Sequence, residues 1–118
     1  MILCRLSLLV LGTIIMILAN LAPGTIAIGS GDDKLNHALA FAVLAPVAAC
    51  AFPRVNVIGL FFALMIFNAG IEISQAILDL GRQPDLADWA VGVLATLPVF
   101  GVIGLLRAAR SRRDGQKG

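Results

Sequence analysis

The chemistry available to this chain is concentrated in three short stretches. The first contains its only histidine. In Gly31-Asp32-Asp33-Lys34-Leu35-Asn36-His37 the carboxylate of Asp33 and the imidazole of His37 are four residues apart, so a helix puts them on one face, with Lys34 close to it. A proton-active ring then lies beside both signs of charge. The same residues also read as a helix start, with Asp33 as N-cap and Lys34 as an interfacial anchor.

The second stretch is Glu72, Gln75 and Asp79, spaced by three and four residues as a polar stripe on an otherwise apolar helix. The third is Leu80-Gly81-Arg82-Gln83-Pro84-Asp85-Leu86-Ala87-Asp88-Trp89. Gly81 and Pro84 break the chain, Asp85 suits a helix N-cap, and Asp88 falls in the first turn, where exposed N–H groups favour a carboxylate. Capping uses one acid and leaves Arg82 and Asp88 to meet Glu72 and His37.

These residue types suit proton handling by His37, Glu72 and Asp88, and binding of an anionic or polar group by Asp33, Lys34, Gln75, Arg82 and Asp85. No serine or cysteine nucleophile stands beside a base, and there is neither a phosphate-binding glycine loop nor a histidine pair for a metal. Catalysis is therefore unassigned, and no cofactor is expected. A divalent cation, if held, would be carboxylate-bound and hard. Cys4 and Cys50 lie outside any CxxC or Cys/His spacing and read as buried packing residues.

The elements that must position these groups follow from composition. Of 118 residues 59% are hydrophobic and 14% charged, with mean hydropathy +0.96, a balance that places the chain in a membrane. Four segments approach the ~20 apolar residues of a spanning helix. They are expected at about 6–21, 36–52, 55–78 and 89–106, giving an all-α, four-helix transmembrane bundle as a single domain over 1–106. A cleavable signal peptide is the alternative for the first segment. Counted from Val55 at ~1.5 Å per residue, Glu72 lies about 25 Å along a helix crossing a ~30 Å core, near one face. Gly92, Ala95, Gly101 and Gly104 are expected to let the fourth helix pack closely.

Charge then orients the bundle. Arg5, Arg54, Arg107, Arg110, Arg112, Arg113 and Lys117, seven of the nine basic residues, fall on one side if the helices alternate, so that side and both termini are expected to be cytoplasmic. Asp32, Asp33, Asp79, Asp85 and Asp88 collect on the other side. Residues 107–118 have no apolar periodicity and are expected to form a basic, disordered cytoplasmic tail.

Taken in order, Asp33-Lys34-x-x-His37, Glu72-x-x-Gln75 and Arg82 followed by Asp88 resemble the VanZ-like family of small bacterial membrane proteins. Phe41 and Leu44 fit the aromatic and leucine positions of the first block. Gly92 and Ala95 stand where the pattern has an asparagine and a glycine, and the Gln75–Arg82 interval is a residue longer. The resemblance implies a multi-pass protein of the bacterial cytoplasmic (inner) membrane concerned with the cell envelope, in a family named for an accessory protein of teicoplanin resistance. It supplies no reaction.

Three functions are then distinguishable. The polar cluster engages an anionic lipid or lipid-linked cell-wall precursor head group, with Lys34 and Arg82 on phosphate. Alternatively the cluster is an ion-pair network inside a structural scaffold. The third reading is a small proton-coupled transporter acting as a homo-oligomer, disfavoured by the position of the polar groups at one face. The bilayer is the expected partner, and nucleic acid is not.

Overall fold

The computed structural model describes residues 2–21, 33–81 and 83–117, with the side chain of Asp33 excepted. Within them the chain forms four helices: α1 (Ile2–Asn20), α2 (Asp33–Ala51), α3 (Val57–Leu78) and α4 (Leu86–Lys117). All four are long and apolar enough to cross a membrane. The expected all-helical, four-helix membrane architecture is thus present.

Local sequence sets most of the boundaries. Pro53, which has no N–H and disfavours helix at the residue before it, follows the end of α2. Asn56 then caps α3, its Oδ1 accepting from the Gly59 N–H at 2.7 Å. At the other end of α3 Asp79 takes the left-handed conformation (φ 48°, ψ 50°) and its N–H donates to Gln75 O. Asp79 is therefore an exposed C-cap and not the last member of the polar stripe.

Helices α2 and α3 occupy the centre. Both contact each other and both flanking helices, while α1 and α4 make no contact among the described residues. Phe41, Leu44, Ala45, Ala48, Leu60, Leu64, Met65, Ile71 and Phe100 form the core. Its alanines let backbones approach where lipid supplies no water-driven packing force. Ile14, Val43, Ile66, Leu94 and Leu105 point outward, the arrangement of a bundle solvated by hydrocarbon.

Three expectations are corrected. Residues 107–117 are not a disordered tail: they continue α4 to Lys117. An established helix adds one hydrogen bond per residue, and the Arg, Ala, Gln and Lys of this run are good helix formers. Arg107 fastens the extension, donating from Nη1 to Val55 O at 2.6 Å and from Nη2 to Ala49 O at 3.0 Å. Cys4 and Cys50 are not separate packing residues but a disulfide, with Cα atoms 5.8 Å apart. The antiparallel α1 and α2 bring the start of one beside the end of the other. Finally, Gly101 serves no close packing, since a Cβ there would meet nothing within 4 Å, whereas one at Gly104 would lie 3.3 Å from Val57 Cγ2.

Candidate functional site

The polar residues of α2, α3 and α4 meet at the end of the bundle opposite Arg5 and Arg107. Two separate arrangements result. The inner one is closed. Asn68, wholly buried on α3, donates from Nδ2 to Trp89 O at 2.9 Å and has its Oδ1 2.8 Å from His37 Nε2. A carbonyl only accepts, so the Trp89 contact fixes the Asn68 amide with Oδ1 toward the imidazole, and His37 Nε2 must carry the donating hydrogen. Nδ1 is left as the nitrogen able to exchange a proton. The ring is further held by stacking on Phe41, with centroids 5.0 Å apart.

Gly92 makes this packing feasible. A Cβ at that position would stand 2.5 Å from Asn68 Nδ2 and 3.2 Å from His37 Cδ2. The bare backbone of α4 is therefore what lets the asparagine reach across from α3.

The outer arrangement is partly open. Lys34 Nζ lies 3.4 Å from Asp85 Oδ2 and 3.5 Å from Asp88 Oδ1, tying the start of α2 to the start of α4. Lys34 and Asp85 are about half exposed, so the pair contributes little to stability. Asp85 is also the N-cap of α4: its Oδ1 accepts from Ala87 N–H at 2.9 Å, and its backbone oxygen accepts from Asp88 N–H. The Ala87 N–H, and after it the Lys34 ammonium, hold the Asp85 carboxyl below its ordinary 3.8.

Glu72 joins α3 to this loop by accepting the Asp85 N–H at Oε2, 2.7 Å away. Its other oxygen, Oε1, is buried without a hydrogen-bond partner. So are Trp89 Nε1 and Asp88 Oδ1, the latter at ion-pair distance from Lys34 but unbonded to it. Glu72, Asp85 and Trp89 line a recess of about 370 Å³ whose other walls are Ala69, Ile73, Pro84 and Leu86. An unpartnered acceptor and an unpartnered donor thus belong to residues lining one apolar hollow. Buried polar atoms normally find partners, and these two have none, though each is itself covered and meets the hollow only if its side chain turns toward it.

The expected site residues are therefore brought together in part. His37, Glu72, Lys34, Asp85 and Asp88 share this end of the bundle. Gln75 does not join them: it is buried against α1, donating from Nε2 to Ala19 O at 2.7 Å. Arg82 and the side chain of Asp33 lie outside the described residues. No group of three or more His, Cys, Asp or Glu residues among the described residues has the arrangement to hold a metal ion.

Three contributors, Asn68, Asn20 and Ser74, are not evident from the sequence. Asn68 continues the stripe of Glu72 and Gln75 one turn back along α3, at the four-residue spacing that offered the signal. Asn20 and Ser74, bonded at 2.9 Å between Asn20 Nδ2 and Ser74 Oγ, form with Gln75 a second polar layer joining α1 to α3. Comparison of the chain with family models, curated proteins and solved structures finds no match.

Proposed function

We propose that this chain is a VanZ-like protein of the bacterial cytoplasmic membrane, whose polar end engages the head group of a lipid or lipid-linked cell-wall precursor. The recess lined by Glu72 and Trp89 is the observation that carries this reading. With the Glu72 and Trp89 side chains turned toward the recess, a hydroxyl or ammonium of the head group donates to Glu72 Oε1, and a phosphate or hydroxyl oxygen accepts from Trp89 Nε1. The apolar walls of Ile73 and Leu86 suit the adjoining chain. Lys34, already shared between Asp85 and Asp88, supplies positive charge beside the recess. With Nε2–H held by Asn68, His37 acts through Nδ1 alone, as a hydrogen-bond acceptor or base toward a bound group.

The family resemblance gains support from one substitution of parts. Gly92 stands where the pattern has an asparagine, and the space beside it is filled by the amide of Asn68 from α3. The orientation proposed is the one the charges favour, with the basic end cytoplasmic and the recess facing outward. Cys4 and Cys50 then lie on the reducing side, where cellular thiols keep them as a dithiol until the protein is exposed to oxidant.

Glu72→Gln tests the reading. Gln retains an oxygen for the Asp85 N–H while removing the charge offered to the head group. The variant should accumulate in the membrane and unfold within a few degrees of the parent, yet fail to retain a lipid-linked sugar-phosphate probe in detergent. Equal retention by parent and variant sinks the proposal. Loss of folding in both Glu72→Gln and Lys34→Gln supports the second reading, a scaffold locked by its ion pairs, which the Lys34–Asp85 and Lys34–Asp88 contacts favour.

A further inference from the structure

The opposite end of the molecule has a groove that the polar site does not use. It runs between α1, α2 and α3, with a volume of about 780 Å³. Its walls are apolar, including Leu9, Gly12, Met16, Leu44, Leu64 and Phe67, and Arg5 closes one end. From Arg5 to Ile17, which also lines it, the groove follows α1 for about 18 Å at ~1.5 Å per residue. That is roughly the depth of one leaflet of a ~30 Å hydrocarbon core.

Arg5 is held in place at the mouth. Its Nε donates to Ala51 O at 3.1 Å, and its guanidinium carbon sits 5.0 Å from the centroid of the Phe52 ring. Those contacts occupy the stem side of the fork and leave its two terminal nitrogens for a planar or tetrahedral oxyanion. The exposed Arg54 adds charge on the α2–α3 turn, next to Val55 in the groove wall. Arg107 is engaged with Ala49 O and Val55 O and stiffens the same turn. A cationic mouth above an apolar channel one leaflet deep has the dimensions and charge of one amphiphile.

We propose that this groove is a binding site for an anionic phospholipid of the leaflet at the basic end, its phosphate on Arg5 and one acyl chain along α1 between Gly12 and Phe67. The site is independent of the recess at Glu72 and stands whether or not that recess takes a head group. Gly12 admits the chain: a Cβ there would meet only Phe67 Cζ, at 3.9 Å, so a larger side chain fits the fold and fills the groove instead.

The test is native mass spectrometry of the purified full chain, incubated with equal amounts of phosphatidylglycerol and phosphatidylcholine of matched chains. The parent should retain the anionic lipid about fivefold over the zwitterionic one, the ratio set by ~1 kcal/mol for a basic residue at an anionic surface. Arg5→Gln should bring that ratio near unity. Gly12→Leu should reduce retention of both lipids while thermal unfolding is undiminished, and it decides the matter alone if Arg5→Gln does not fold. Equal retention of the two lipids by the parent overturns the proposal, as does undiminished retention by Gly12→Leu. A dimer that cross-links through a cysteine placed at Leu9 also overturns it, because the occupant is then a second copy of the chain.

Discussion

The two ends of the bundle use polar residues in opposite ways. At the basic end Arg5 and Arg107 donate to the backbone oxygens of Ala49, Ala51 and Val55, satisfying carbonyls around the end of α2 that have no intrahelical partner. At the other end the bonds join different helices, side chain to side chain or side chain to backbone, and five polar atoms, of Asn20, Glu72, Gln75, Asp88 and Trp89, stay buried without a partner. The first pattern completes secondary structure. The second positions helices relative to one another and leaves its unused capacity inside, between the helices, whereas the capacity left at the basic end is in the terminal nitrogens of the Arg5 guanidinium at the surface.

The largest test of that contrast is Asn68→Ala. It leaves the His37 Nε2–H without its partner beside the wholly buried Asn68 position, where an unsatisfied group costs about 1 to 3 kcal/mol, and it removes the cross-helix bond to Trp89 O, which keeps its helical one. A loss of about 2 kcal/mol is expected, read as a lower midpoint of thermal unfolding in detergent. Arg107→Gln should cost less, about 1 kcal/mol, because the half-buried side chain leaves carbonyls that water can reach. If it destabilises more than Asn68→Ala, the structural weight lies at the basic end and the comparison reverses.

The smallest effect is the charge of Asp85. Its carboxyl is held below the ordinary 3.8, so the ionised form is the one the fold stabilises. That contribution is fully present above 3.8 and disappears as the pH falls through the lowered value. The stability gap between the parent and Asp85→Asn, which keeps the cap but not the charge, should therefore be constant near neutrality and close in acid. A gap that widened in acid would mean that Asp85 is not paired as the structure has it.

Sequence reading captured the helices because hydropathy is a property of each segment alone. It missed the extension of α4, because a polar helix beyond the hydrocarbon has no apolar stripe to count. It set Cys4 and Cys50 on the same side without pairing them: spacing along the chain does not measure the 5.8 Å between two antiparallel helices. The site was legible where charge had no other use in a membrane, as at Glu72 and His37. Gln75 was assigned to the same face from its spacing, yet three residues along a helix is about 60° off a full turn, enough to aim it at α1. Asn68 was passed over because an uncharged amide on an apolar helix acquires its role only from what packs against it.

The lack of contact between α1 and α4 has a consequence for assembly. Helices α2, α3 and α4 supply His37, Asn68, Glu72 and Asp88, and α1 is laid against one side of them, its Leu8, Leu11 and Ile15 packed on the core and its two ends tied by polar contacts. Arg5, beside the Cys4–Cys50 pair, makes the tie at one end, and Asn20, Ser74 and Gln75 make it at the other. Between these ties α1 rests on α2 and α3 along an open channel. The polar end thus draws its groups from three helices, while the fourth, α1, shapes what the bundle shows to the surrounding lipid.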